Sequence, residues 1–360
     1  MENSTLSLVE EAYGIKIIPE LYGGGHINKT YVTESRPRLI VQEVNTSVFK
    51  DPVAMMKNVI SVTERLGQKL KAEGKDPERY TLTVVPAKDG ERYKIFDGRF
   101  YCAYLFIEGS RCFDTVTPEV LRLAGLAFGR FGRQLADFPA ETLSEVIPHF
   151  HDTPSRYEDL LTAIERDTAG RAAEDGEEID FFKEYAIFYG TVTERLADGR
   201  LSLAVTHNDT KINNILFDAA DGQPLAVIDL DTVMPGSRLY DFGDALRTGA
   251  ATAAEDETDL SLVSFDKEKF AAFTKGYLEA AGVALTEEEL DLLPESALLM
   301  TLECGMRFLT DDLNGDVYFR THRPRHNLDR ARNQIKMAQE IEKMLPELHE
   351  IVKDCVQKNG

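Results

Sequence analysis

The apolar positions of the first hundred residues fall in short β-branched runs, interrupted by one long helical stretch. Residues 30–33, 38–44, 81–86, 92–96 and 99–107 read as strands, with Asp89-Gly90 and Asp97-Gly98 separating the last three. Two Asp-Gly turns between apolar runs are strong hairpin signals, so a meander is expected. From Pro52 to about residue 72 the period lengthens. Met56, Val59, Ile60, Thr63, Leu66 and Leu70 there share one helical face.

Beyond residue 107 the pattern turns helical. Glu108-Gly109-Ser110 reads as a linker. Thr117 can cap a helix with Pro118 at its first position, and residues 158–173, 179–196, 266–282, 286–313 and 327–354 continue in helical period. One interruption stands out. Residues 215–217 and 225–230 are apolar strands joined by Asp221-Gly222, a hairpin inside a helical region. The expected fold is therefore α+β in two lobes. Residues 1–107 form a small antiparallel-sheet lobe with one helix, and 108–360 a larger, mainly helical lobe. A chain of 360 residues is long enough for two cores.

Composition narrows the function. The net charge of −21 argues against nucleic acid and against a bilayer surface, since both select basic faces. No apolar run approaches the roughly 20 residues of a membrane span, and the N-terminus shows no signal-peptide pattern. The four cysteines lack CxxC spacing, which fits a reduced, cytoplasmic setting. A monomer is the default expectation.

The chemistry lies on either side of the hairpin. Thr206-His207-Asn208-Asp209-Thr210-Lys211-Ile212-Asn213-Asn214 is followed by Val227-Ile228-Asp229-Leu230-Asp231. Phosphoryl transfer to an alcohol needs one carboxylate to orient the hydroxyl and accept its proton. It also needs oxygen ligands that hold magnesium against the phosphates. H-x-D-x-x-x-x-N supplies the base, Asp209, and an amide ligand, Asn214, at the ends of one loop. Asp229 at the end of the next strand supplies a carboxylate, and Asp231 a second. The hairpin turns the chain back, so Asp209 and Asp229 can share one site.

These motifs resemble those of the aminoglycoside phosphotransferases and choline kinases, which share a protein-kinase-like fold. The family's catalytic loop reads H-x-D-x-x-x-x-N and its metal motif I-D-x-(D/E). The resemblance implies ATP and Mg2+ as cofactors. It also implies a glycine loop at Gly23-Gly24-Gly25-His26-Ile27-Asn28, whose backbone N–H groups approach phosphate. Phe106 to Glu108 would be a hinge that meets adenine. Tyr240-Asp241-Phe242-Gly243-Asp244 resembles a stretch whose carboxylates hold the lower lobe together. THNDTKINNIL, IDLDTVMPGS, HFHDTP at 149–154 and ECGMRF at 303–308 further resemble the N-acetylhexosamine 1-kinases. That likeness implies phosphorylation of the anomeric hydroxyl of GlcNAc or GalNAc. It points to His26, Thr232, Arg307 and Tyr318, with Asp209, as the residues around the sugar.

One departure matters. Protein kinases place a Lys on the third strand for the α- and β-phosphates. Here Gln42 stands in that place, and Lys211 is the candidate substitute at the γ-phosphate. Glu64, a possible partner for the missing Lys, reads as a solvated helix residue. His149, His151 and Asp152 read as capping or packing residues rather than a metal site, and His207 as an orienter of the loop. The basic run 320–326 reads as pairing with acidic neighbours. A choline, ethanolamine or aminoglycoside kinase shares the same loop. The absence of Trp weakens a cage for quaternary ammonium. A nucleotide-binding pseudokinase has Gln42 alone in its favour.

Overall fold

The computed structural model describes residues 2–23, 27–113 and 115–359. It divides into two compact units. The first gathers residues 1–112, 137–148 and 214–235, and the second 113–136, 149–213 and 236–360.

In the first unit, β1 (Lys29–Val32), β2 (Leu39–Val44), β3 (Tyr93–Phe96) and β4 (Arg99–Leu105) form an antiparallel sheet in the order β1-β2-β4-β3. This is not the simple meander of the sequence reading. Asp97-Gly98, with φ of 50 and 74°, closes the β3–β4 hairpin, but β4 then inserts beside β2. Residues 81–86 form no full strand. They extend the β3 edge through two bonds, Val85 N to Ala103 O (2.8 Å) and Leu105 N to Thr83 O (2.9 Å). Pro86, which has no N–H to donate, ends the run.

The helix Glu2–Tyr13, absent from the sequence reading, covers one face of this sheet. Leu6 and Val9 pack there with Tyr31, Val41, Tyr101 and Ala103. The helix Pro52–Ala72 starts where its signals place it, with Asp51 accepting from Ala54 N (2.9 Å) and Pro52 in the first turn.

The single boundary expected at residue 107 gives way to an interleaved division. Strand Ile215–Asp218 pairs with Pro224–Val227 on one side and with Ser110–Arg111 on the other. The buried Asn58 amide also donates to Ser144 O (2.7 Å) and Val233 O (2.9 Å). These bonds draw 137–148 and 214–235 into the first unit.

The second unit is helical. Thr117 caps Pro118–Gln134 as expected, and the helix lies against Lys267–Ala281 at a spacing that only Gly permits. A Cβ on Gly276 would sit 1.9 Å from Arg122 O, and one on Gly125 2.3 Å from Phe273 O. Arg238–Gly249 packs on Leu293–Leu313 in the same way, with Gly243 against Ser296 O. The expected helix over 179–196 is broken into Gly176–Glu184, a 3-10 turn Phe188–Thr191 and Thr193–Ala197. The stretch 286–313 is interrupted at Leu292, and Pro294 opens the second piece. The last helix, His326–Asn359, carries Pro346 within it. Among the described residues no helix is long and apolar enough to cross a membrane.

Candidate active site

In the second unit, strand Ala204–Thr206 runs directly into the loop that carries Asp209. Asn208 there has φ 65°, a left-handed conformation that Asn tolerates better than most residues. Helix Arg238–Gly249 holds the loop from below. Asp241 accepts both His207 N (2.9 Å) and Asn208 N (2.8 Å), and Asp244 accepts Thr210 N (2.8 Å). Thr210 Oγ1 donates to Asp241 O (2.7 Å). Burial pushes the Asp241 carboxyl up, while His207 and the two amides draw it back. Asp244 is held below the usual carboxylate range, because Arg247, Lys211 and His151 outweigh its burial.

His207 is fully buried. Its ring meets Phe128 (5.9 Å) and Phe131 (6.1 Å) edge-on, and its Nδ1 accepts from Asp209 N (3.3 Å). That ring orients the loop and is not placed as a base. Asp209 itself, 26% exposed, pairs with the Lys211 ammonium at 2.8 Å. Burial lowers the Lys211 pKa, but Asp209 and Asp244 more than offset it, so the ammonium is held charged. This much of the site is a carboxylate in contact with an adjacent, half-exposed cation.

The second group lies in the first unit. Asn214, buried, ends a 3-10 turn, and its carbonyl accepts Ile228 N (2.9 Å), which fastens the two ends of the hairpin. Asp229 follows at φ 59°, ψ 54° and opens the turn Leu230–Thr232. Asp231 and Thr232 in that turn are both buried. Asn28 bridges across. Its amide nitrogen donates to Asp231, and its amide oxygen accepts Asn45 N (2.9 Å). Burial and the neighbouring Asp229 charge push the Asp231 carboxyl up to about 7, against the pull of Asn28. The buried Asp231 carboxylate and the exposed Asp229 carboxylate that repels it, together with the amide of Asn214, are hard oxygen donors of the kind that suit Mg2+. Among the described residues no group of three or more His, Cys, Asp or Glu could hold a metal. A cation here would rely on two carboxylates, the amide and ligand oxygens, which is how Mg2+ is usually bound.

Gln42 sits on β2, with Thr30 and Cys102 as its cross-strand partners. Cross-strand partners share a face. Burial and the Asp231 charge raise the Cys102 thiol to about 12, so Gln42 faces the same side as Asp231. The side chain at that strand position is a neutral amide. Gly23 has φ 78°, and Tyr22 N donates to Thr30 O (2.8 Å), which closes the base of the loop. Gly24, Gly25 and His26 lie outside the described residues. Phe106 is covered by the Arg38 guanidinium at 3.9 Å and edged by Tyr22 at 6.0 Å. The Glu108 carboxylate is engaged twice by Arg38, and its carbonyl accepts from Arg79 (3.0 Å). Glu64 pairs at the surface with Arg92 (3.4 Å).

Arg307 and Tyr318 share one aromatic cluster in the second unit. The Arg307 guanidinium lies 5.3 Å from the Phe150 ring and 5.7 Å from the Phe319 ring. Tyr318, 61% exposed, meets Phe319 at 4.8 Å. Asp311 fixes this loop by accepting Val317, Tyr318 and Phe319 N–H groups at 2.8–2.9 Å. Three members of the basic run pair with acidic neighbours. Arg323 binds Asp256 and Asp329, Arg325 binds Glu174, Asp175 and Asp312, and His326 binds Asp256.

Sequence reasoning missed two links. Asn28 to Asp231 spans 203 residues, and the buried His151–Glu303 contact (2.7 Å) joins the HFHDTP and ECGMRF stretches. Both motifs were visible, but nothing in their spacing paired them.

The model of APH, the phosphotransferase enzyme family, matches residues 20–290. Solved structures share the fold at low identity. An aminoglycoside phosphotransferase from Alicyclobacillus acidocaldarius has a TM-score of 0.62 at 14% identity, covering 98% of this chain and 97% of its own. A choline/ethanolamine kinase family protein from Mesorhizobium loti has a TM-score of 0.60 at 14%, covering 98% and 100%. An amicoumacin kinase in complex with AMP-PNP, Ca2+ and amicoumacin has a TM-score of 0.59 at 12%, covering 98% and 93%. The sheet with its one long helix, the helical unit and the loop braced by Asp241 and Asp244 agree with that assignment, and the chain belongs to the phosphotransferase enzyme family.

Proposed function

We propose that the protein transfers the γ-phosphoryl group of ATP to the anomeric hydroxyl of an N-acetylhexosamine. The observation that carries the transfer is the Asp209 carboxylate, 2.8 Å from the Lys211 ammonium on a loop whose backbone is fixed by two buried aspartates. Asp209 accepts a hydrogen bond from the acceptor hydroxyl and takes its proton as that oxygen bonds to the γ-phosphorus. The bridging bond to the β-phosphate breaks, and ADP leaves. An anomeric hydroxyl is more acidic than an ordinary alcohol, which suits a carboxylate as its base. Lys211 exchanges Asp209 for a γ-phosphate oxygen and supplies the charge that Gln42 lacks.

Asn214, Asp229 and Asp231 would hold Mg2+, which neutralises charge on the β- and γ-phosphates when bound. Gly23 and Asn28 act at the phosphates, and the backbone from Phe106 to Glu108 receives the adenine. ATP as the donor agrees with the AMP-PNP bound to the amicoumacin kinase. The acceptor assignment rests on the HFHDTP and ECGMRF stretches. Arg307 hydrogen-bonds the sugar, and the exposed Tyr318 ring lies on its apolar face.

A choline, ethanolamine or aminoglycoside acceptor is the second reading, favoured by the kinases of both kinds that share the fold. The test is magnesium-dependent ADP release against GlcNAc, GalNAc, choline, ethanolamine and kanamycin, followed by product analysis. An acid-labile, non-reducing sugar phosphate supports the 1-kinase. A product that still reduces, or turnover of choline or kanamycin alone, overturns it. ATP binding without turnover of any acceptor points to a pseudokinase.

A further inference from the structure

Asn28 lies where three pieces of the first unit meet. It precedes β1, and the pairing of Lys29 with Glu43 sets it near the end of β2, beside Asn45. Its amide oxygen accepts Asn45 N at 2.9 Å, and its amide nitrogen donates to Asp231 Oδ2 in the turn Leu230–Thr232. Together the two contacts fix which end of the amide faces the carboxylate. Turned over, the amide would set its NH2 against the Asn45 N–H and its oxygen against Asp231, two repulsive pairs in place of two hydrogen bonds. Asn45 is held in turn. Its side-chain oxygen accepts Ser47 N (3.0 Å), and its carbonyl accepts the N–H of the buried Phe49 (3.0 Å).

Asp231 is short of partners. It is 4% exposed, and Asn28 is the one donor its side chain meets among the described residues. An ionised carboxylate has room for about four hydrogen bonds, and buried polar atoms are ordinarily satisfied. Here Oδ2 receives a neutral N–H and Oδ1 receives no donor from those residues. One oxygen held and the other left over is the arrangement of a carboxylate that binds a cation.

We propose that Asn28 is a positioning residue for the cation, holding Asp231 by Oδ2 and leaving Oδ1 for the metal. This rests on the reading of Asp231 as a magnesium ligand. Carboxylates that bind metals are themselves hydrogen-bonded, and the bond sets their orientation. The donor's charge matters as well. A Lys or Arg in this place would neutralise Asp231 and compete with the cation, whereas an amide orients the carboxylate and leaves its charge intact. Because the same amide carries Asn45 N, the carboxylate is fixed relative to the start of β1 and the end of β2. The strand that follows the glycine loop and the turn that bears the ligand then move as one piece.

The test is the affinity of the full chain for ADP, measured by calorimetry at stepped free magnesium from EDTA upward. The readout is the magnesium concentration that gives half of the gain in ADP affinity. Asn28→Ala is expected to raise it by about 10–100-fold. ADP affinity in EDTA, where there is no cation to position, reports any loss of loop structure separately. A rise of less than about tenfold overturns the proposal, even where ADP binds more weakly at every magnesium level, since a purely structural contact predicts that. Asn28 is half-buried. Should Asn28→Ala fail to fold, Asn28→Ser takes its place with the same expectation, because its hydroxyl is too short to span Asn45 and Asp231. Absence of any magnesium-dependent gain in wild type overturns the reading of Asp231 as a ligand, and the positioning role with it. A normal gain in wild type with an unmoved midpoint in the variant removes Asn28 alone.

Discussion

Replacing Asp231 by Asn removes a buried negative charge that feels the exposed Asp229 carboxylate. In the absence of a cation that pair is a cost to the folded protein. Burial and Asp229 carry the Asp231 carboxyl from 3.8 to about 7, and holding it ionised costs about 4 kcal/mol at the full extent of that rise. Part of this belongs to Asp229, so the cost relieved by Asp231→Asn is about 2–4 kcal/mol. The sign follows from proton linkage. The folded state binds this proton more tightly than the unfolded chain does. The stability of the metal-free protein therefore falls as pH rises from about 4 to about 7 and is level above that.

Asp231→Asn keeps an acceptor for the Asn28 amide and abolishes that slope. At pH 8 in EDTA the variant is expected to melt about 3–5 °C above wild type. It should also lose the rise in Tm that magnesium gives wild type, and its turnover. The assay is thermal unfolding from pH 5 to 8, with and without magnesium, alongside ADP release. A variant that melts no higher than wild type in EDTA at pH 8, or still gains from magnesium, would refute the reasoning.

Asp241→Asn leaves one of two buried loop N–H groups facing an amide donor. It should cost about 1.5–3 kcal/mol in urea unfolding and lower kcat more than KM. Lys211→Ala is expected to reduce kcat/KM for ATP by more than tenfold, because Gln42 supplies no charge. A value within about twofold of wild type removes Lys211 from the phosphates. Gly276→Ala drives a methyl into Arg122 O, 1.9 Å from the ideal Cβ, and should destabilise the helical unit by about 1–3 kcal/mol in chemical denaturation.

Local signals carried far in this chain. The helix Pro52–Ala72 keeps the bounds read from its apolar face, and Asp97-Gly98 makes its hairpin. The loop around Asp209 was legible because its chemistry is ordered within a few residues. The losses share a cause. Nothing local says that β4 inserts beside β2, that Asn28 reaches Asp231, or that His151 meets Glu303 across 152 residues. Those pairings are chosen by packing over long separations. The stretch 179–196 kept an apolar period but breaks at Tyr185, where the backbone tightens into a 3-10 turn around the buried Tyr189. The interleaved division goes with the pairing of Ile215–Asp218 to Ser110–Arg111 and with the bonds of Asn58 to Ser144 and Val233, which no local pattern announces.

The role of Asp209 is tested most directly by Asp209→Asn. ADP release with magnesium, ATP and the preferred acceptor should fall by roughly 10²–10⁴-fold, with ATP affinity and Tm close to wild type. A variant that folds, binds ATP and keeps more than a tenth of wild-type kcat would contradict the assignment of Asp209 as the base.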